Sequence, residues 1–367
     1  MILIRPSLEA EHEAIRSLLH TNGFKHMVDE KVFNWQFNTN NYCKPIHEIA
    51  IDQSCNSIIG HYALMPLPFY YKGTTCYGGK IEGSAVHVDY RSNNITRKYP
   101  EFKGVKIFTL LIEEMRKEIK AREIDFVFGF PNERASRAQL DIFPDFSFQA
   151  SYFVKVLDFR RALKARYNIR NSLLSKGLGI LLGLFLDREK TSRMREYKTI
   201  VHTGFPDGIH KLSREFLNKS SLISIERTTN LIQWKYQDNP VKNYKFLSSY
   251  CNGELEGCLV YSICEENGLM HAGISDLIYD FEDTDALLRL LVSSLEIFRK
   301  NRADFVTFFT NKSSKLHTLF KALVRLGFIE RVTRQNAFLN ISEKICKDSD
   351  FIYDINNWYI TSLFRQY

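Results

Sequence analysis

With 367 residues, the chain is longer than one ordinary domain and suits two of about 150 to 180 residues each. Hydrophobic residues at 44% and charged residues at 25% exclude a disordered chain. The net charge is +8, but residues 155–200 hold twelve Lys or Arg against four Asp or Glu and the remainder balances. The basicity therefore belongs to one middle segment, and a whole-protein DNA-binding reading is set aside.

The seven cysteines (43, 55, 76, 251, 258, 264 and 346) form no CxxC pair and no Cys/His pairing at metal spacing. They read as reduced thiols of a cytoplasmic protein, with no metal expected. The first residues, MILIRPSLEAEHEAI, lack the apolar core of a secretory signal.

In chain order, the elements occur twice. NWQFNTN (34–40) returns as QWKYQDN (233–239), matching Trp35 to Trp234, Phe37 to Tyr236 and Asn40 to Asn239. Each is followed by an apolar run with a polar turn, at 50–65 and 247–262, which reads as a hairpin with Gly60 and Gly257 in matching places. An amphipathic helix comes next, on Phe108, Leu111, Ile112, Met115 and Ile119 in the first half and on Leu287, Leu288, Leu291, Leu295 and Phe298 in the second. Then come two nearly identical strands, IDFVFGFPN (124–132) and ADFVTFFTN (303–311). A second helix and an aromatic strand, FPDFSF (143–148) or RLGFIE (325–330), are expected to close each copy. From Trp to the strand Asp the first copy is about twenty residues longer, which places ligand-binding elaboration around 72–104.

Between the copies, LLSKGLGILLGLFL (173–186) is flanked by basic residues. It is shorter than the roughly 20 residues of a membrane span. Two readings stay open: a helix packed between domains, and a peripheral membrane contact through 160–198.

The stretch PEFKGVKIF (100–108) leads from a strand, KIEGSAVHV (80–88), into the first amphipathic helix. A strand, a tight loop and a helix N-terminus can cradle a pyrophosphate, with Lys103 and Lys106 adding charge. Here the chain resembles the GNAT acetyltransferase superfamily, whose pyrophosphate loop reads like P-x-[YF]-R-G-x-G-[IL]. Pro100, Phe102, Gly104 and Ile107 match, Lys103 stands for the Arg, and Lys106 replaces a Gly. A second register puts Tyr90 and Arg91 of VDYRS (88–92) in the consensus positions.

The resemblance implies an α/β (α+β) fold of two tandem GNAT-like domains, each a mixed, mostly antiparallel sheet flanked by helices. The expected domains are 1–160 and 200–367, joined by a basic and apolar linker over 161–199. It further implies acyl-CoA held by Ala85, Val86, Val88, Lys103, Gly104, Val105, Lys106, Ile107, Phe108 and Asn132, with pantetheine along Ser84–Val88 and a backbone N–H near Val88 polarising the thioester. The second copy is acidic at the equivalent loop, ISDLIYDFEDTDALL (274–288), so it is expected to shape the acceptor site and bind no CoA.

Amine acylation needs a base and an N–H donor, and can use an acid for the leaving thiolate. Glu82 is the first choice of base, with His87, His61 and Glu48 nearby in the sequence. The resemblance implies an acid that protonates CoA between Asn132 and Gln149, where no Tyr occurs, so either Tyr152 reaches in or the thiolate leaves without a dedicated acid. His61, Trp35 and Trp234 are candidates for contact with the acceptor, while the matching of the two tryptophans points more strongly to a shared core position. The resemblance to tandem GNAT proteins points to a nucleotide-linked amino sugar for surface polysaccharides as acceptor. Transfer from aminoacyl-tRNA by a Fem-like protein and a non-catalytic scaffold are the alternatives.

Overall fold

The computed structural model describes residues 1–38, 44–91, 106–131, 146–159, 161–162 and 198–365, apart from the side chains of 146–149 and 333–336. Residues 163–197 of the linker, Lys103–Val105, Asn132 and the second helix expected in the first copy lie outside these residues.

The first copy contributes strands β1 (Ile2–Pro6), β2 (Ile46–Asp52), β3 (Ser57–Tyr71), β4 (Thr74–Val86), β5 (Phe126–Gly129) and β6 (Phe146–Val156). The second contributes β7 (Lys198–His202), a short β8 (Ser224–Ile225), β9 (Tyr244–Cys251), β10 (Glu254–Glu266), β11 (Leu269–Tyr279), β12 (Phe305–Thr310) and β13 (Ile329–Ile341). They join in one sheet of order β1-β2-β3-β4-β5-β13-β6-β12-β11-β10-β9-β7, with β8 on the free length of β3. The tandem α/β reading of the sequence is therefore the observed fold.

One expectation is corrected. The aromatic strands do not close their own copies: β13 pairs with β5, and β6 pairs with β12. The two exchanged strands pair antiparallel with each other at the centre. The pairing is reciprocal, so the copies are related by a pseudo-twofold axis through the β6–β13 pair.

Helices α1 (His12–Thr21) and α2 (Glu30–Phe37) cover one face of the first copy, and α3 (Ile107–Ala121) covers the other. The counterparts in the second copy are α4 (Ile209–Ser220), α5 (Thr229–Ile232) with a wide turn over Gln233–Gln237, and α6 (Thr284–Lys300). The α3 stripe Ile107, Leu111, Ile112 and Met115 is buried against Tyr62, Leu64 and Ile81 of the sheet. Gly60 and Gly257 allow this close approach. A Cβ at Gly60 would lie 2.9 Å from Leu111 Cδ1, and one at Gly257 2.5 Å from Leu290 Cδ1. On the opposite face one apolar core runs through both copies.

The repeated strand motif also has a structural reason. Asp304 Oδ2 accepts the backbone N–H of Met270 at 2.7 Å and Asp125 Oδ2 that of Tyr77 at 3.4 Å. Each aspartate ties the strand that follows it to the start of its parallel neighbour.

Trp35 and Trp234 lie where the copies meet, with ring centroids 5.2 Å apart and planes 19° from parallel. Each indole N–H donates to the other's backbone carbonyl at 2.7 Å. This corrects the acceptor-stacking candidacy of the pair. Both residues are buried and each occupies a face and the N–H of the other, so the shared core position is the observed one.

Candidate active site

Strand β4 pairs parallel with β5 only over Gly78–Lys80, after which β5 ends at Gly129 while β4 continues to Val86. Among the described residues no strand pairs with the β5-facing edge of β4 from Ile81 to Val86. Opposite β3, Ala63 faces Glu82 and His61 faces Ala85, so β4 spends one extra residue and bulges at Gly83–Ser84. Gly83 has φ +57°, in the left-handed region that glycine adopts freely.

A histidine pair holds this bulge. His61, fully buried, donates from Nδ1 to the Gly83 carbonyl at 2.6 Å. Its Nε2 must then accept from His47 Nδ1, 3.0 Å away, which leaves His47 Nε2 a buried lone pair without a partner. Burial lowers the pKa of both rings, that of His61 to about 4, so the pair is neutral at physiological pH. With both nitrogens engaged, His61 cannot touch a substrate, which corrects its acceptor-binding assignment to one of positioning.

Next to the bulge is a cluster of charged side chains drawn from both copies. Glu82 pairs with buried Lys80. Lys235, from the wide turn beside Trp234, is buried and donates to the backbone carbonyl of Arg365. The Arg365 guanidinium lies over the rings of Tyr152, at 5.5 Å, and Phe309, at 4.9 Å. Burial lowers the pKa of Lys235 well below the ordinary lysine range, and Lys80 adds to the effect. Burial also lowers Lys80, against the opposing pull of Glu82. Glu82 and Tyr152 thus both adjoin Arg365, the first through its charge and the second through its ring.

The other assigned residues lie elsewhere. His87 follows the end of β4 and caps the turn Val88–Tyr90, accepting from Asp89 N–H at 3.3 Å. The strand stops at Val86, so Val88 belongs to an exposed turn and the irregularity of β4 falls at Gly83; both points correct the expected strand end and N–H donor near Val88. The Val86 carbonyl accepts from Arg91 Nε at 3.1 Å and Ala85 is buried opposite His61. Tyr90 is buried and bonded to Asp52, so the register that placed Tyr90 and Arg91 in a phosphate loop is not the one adopted. Glu48 is fully buried and faces Glu114 and Glu118 of α3; burial and these acids raise its carboxyl to about 7. It lies under α3, on the face opposite His47 and His61.

The α3 N-terminus begins at Lys106, where no side chain caps it; Ile107 is buried in the core and Phe108 lies edge-on to Tyr62 at 5.6 Å. Twenty residues separate β4 from α3, against four between β11 and α6, so the extra length of the first copy falls between strand and helix. In the second copy Asp283 caps α6, accepting from Asp285 N–H at 2.9 Å and Ala286 N–H at 3.1 Å. The turn Ser362–Phe364 packs against β11 and β12, while Asn311 Oδ1 accepts the Ile360 N–H at 2.8 Å. The second copy thus caps its helix and covers β11 and β12 with its own residues, whereas among the described residues the first copy does neither at α3 and β4.

Sequence reasoning missed Lys80, Lys235, Arg365 and Gly83. Two signals were present: a lone glycine within a strand pattern, and the middle residue of the repeated Trp-x-aromatic motif, where Gln36 of the first copy becomes Lys235 of the second.

Against solved structures, the chain is similar to a conserved protein of Enterococcus faecalis described as a probable N-acyltransferase, at 10% identity and TM-score 0.63 over 94% of this chain and 73% of the other. This chain has the fold of that structure and of a GCN5-related N-acetyltransferase of Anabaena variabilis. The latter matches at 10% identity and TM-score 0.58, over 93% of this chain and 73% of that one. The N-myristoyltransferase of Saccharomyces cerevisiae, solved with myristoyl-CoA bound, matches at 10% identity and TM-score 0.52, over 92% and 82%. No family model and no curated protein matches the sequence. No helix among the described residues is long and apolar enough to cross a membrane.

Proposed function

We propose that this protein transfers an acyl group from acyl-CoA to an amine, using a donor site in the first copy and an acceptor site where the copies meet. The observation that carries the reading is the asymmetry between the halves. Among the described residues the first has a β4 edge that no strand pairs with beyond Lys80 and a helix N-terminus without a side-chain cap. In the second, Asp283 and the C-terminal turn occupy the equivalent places.

Under this reading the pyrophosphate rests on the segment from Lys103 through Gly104 and Val105 to Lys106, Ile107 and Phe108, and pantetheine runs along Ala85 and Val86 towards Asn132. Backbone N–H groups at the Gly83–Ser84 bulge face the thioester carbonyl. The donor supplies an activated acyl carbon and a thiolate leaving group. Lys235, whose ammonium form is disfavoured by burial, accepts the proton released by the attacking amine. Glu82 holds Lys80 in place, and Arg365 over Tyr152 closes the side towards β12.

The acceptor is an amine that also carries negative charge, because Lys80 and Arg365 outnumber Glu82 around it. A nucleotide-linked amino sugar is the type we favour. The domain limits 1–160 and 200–367 and a membrane contact through 160–198 remain part of this proposal.

Calorimetric titration with CoA, acetyl-CoA and a longer acyl-CoA tests the reading, with thiol release measured over a panel of amines. One equivalent of donor per chain, weakened by Lys106→Glu, is expected. Lys235→Met is expected to retain donor binding and lose turnover. Absence of binding to every CoA species would sink the proposal.

A further inference from the structure

On the second copy, away from the β4 bulge, the β10–β11 hairpin gathers three metal-ligating side chains. Its two-residue turn is Asn267–Gly268, with φ +53° and +77°, the type I′ geometry that matches the twist of the strands and fixes their register. That register sets Cys264 directly opposite His271 and Glu266 two residues further along, on the same face.

The Cys264 Sγ, a Glu266 carboxylate oxygen and a His271 ring nitrogen all lie within 4.8 Å of one another. Sγ is 3.5 Å from Glu266 Oε1, which is 3.4 Å from His271 Nδ1. With metal–ligand bonds of about 2.0 to 2.3 Å, tetrahedral coordination sets ligand atoms roughly 3.3 to 3.6 Å apart. Both measured separations fall in that range.

The histidine is also held as a ligand would be. Its Nε2 is 2.7 Å from Thr307 Oγ1 on β12, and its ring stacks on Phe305 with centroids 4.6 Å apart. Its Nδ1 is buried without a hydrogen bond. The Thr307 hydroxyl can accept from Nε2–H, and in that tautomer the Nδ1 lone pair and the Glu266 carboxylate are both available to a cation between them.

We propose that Cys264, Glu266 and His271 form a binding site for one borderline-soft divalent ion of the zinc class, with a fourth position open to solvent or to a further ligand. Thiolate and carboxylate together neutralise the ion, and a Cys, Glu and His set suits zinc or cobalt better than magnesium or calcium. Lys242 also faces the cluster and opposes the ion, but two anionic ligands outweigh it. In the first copy the matching cross-strand pair is Leu67 and Gly78, neither of which can ligate a metal, and a Cβ at Gly78 would meet the Phe69 ring. The cluster is therefore peculiar to the half whose cofactor ground is filled. The spacing C-x-E-x4-H eluded the sequence reading because its logic is that of a hairpin register and not of a CxxC knuckle.

The test uses the full chain, stripped with a chelator and titrated with Co²⁺. We expect one equivalent with a thiolate-to-cobalt charge-transfer band, displaced by Zn²⁺. Cys264→Ser should abolish the band, Cys346→Ser should leave it, and Thr307→Val should weaken binding by about tenfold or more. Glu266→Gln, which keeps the hairpin's shape, should retain the metal-free melting temperature and lose the rise that Zn²⁺ gives the parent protein. A parent protein without a thiolate band, or a band that survives Cys264→Ser, would overturn the site.

Discussion

Trp35 and Trp234 are 199 positions apart, and each donates its indole N–H to the backbone carbonyl of the other. Replacing either by Phe keeps an aromatic ring but leaves one buried carbonyl without its donor. We expect a loss of about 1 to 3 kcal/mol for each single variant in urea denaturation. The two effects should be non-additive in the double variant, since both residues share one stack. Additive losses would show that the indoles act independently.

Glu48 and His61 give stability opposite dependences on pH. The Glu48 carboxyl is raised from 4.5 to about 7 in the folded chain, so the native state holds a proton that the unfolded state has released. Its contribution to stability is full below 4.5 and declines as pH rises to about 7, by at most about 3 kcal/mol. His61 is lowered from 6.5 to about 4, so its contribution is full above 6.5 and is lost as pH falls towards 4. Glu48→Gln should remove the first decline, leaving stability that only rises over this range. Urea midpoints measured across the range for both proteins check this, and parallel curves would contradict it.

Gly83→Ala introduces a Cβ at φ +57°, 3.2 Å from Phe37 Cζ and 3.3 Å from His61 Cε1. Backbone strain alone should cost roughly 1 to 2 kcal/mol. If the bulge orients the thioester carbonyl, turnover should fall about tenfold or more while the dissociation constant for CoA changes little. Equal losses in both would mean that the bulge serves donor binding and not the reaction.

Arg227 is fully buried and makes a bidentate pair with Asp276, at 3.0 and 2.9 Å, while bonding Ser224 Oγ and the Ile225 carbonyl. Arg227→Met leaves the Asp276 charge buried without its partner and should cost about 3 to 5 kcal/mol. Arg227→Met with Asp276→Asn should recover part of that loss, as read from thermal or urea unfolding.

Much of the fold was legible because duplication repeats local signals. The α3 and α6 stripes, the hairpins around Gly60 and Gly257, and the Asp125 and Asp304 strands each carry a pattern set by a few neighbouring residues. The strand exchange was not legible. Hydrophobic alternation in β6 and β13 fixes which face is buried, and it says nothing about which β5-like strand lies alongside. The candidate site was legible only in part for a related reason. Glu82 stands out near the donor strand and Lys80 lies two residues before it on the same strand, but Lys235 and Arg365 meet them only because the copies fold against each other.

The exchange of β6 and β13 has a consequence for synthesis. The neighbour that completes the first half's sheet beside β5 is the last strand of the second half. While the ribosome is still making the second half, the first must wait with a bare, apolar strand edge, the kind of surface that recruits wrong partners. This protein should therefore depend on chaperones during translation more than a chain of two self-contained domains, and a stop codon anywhere before Ile329 should yield an aggregating fragment and no half-sized folded product.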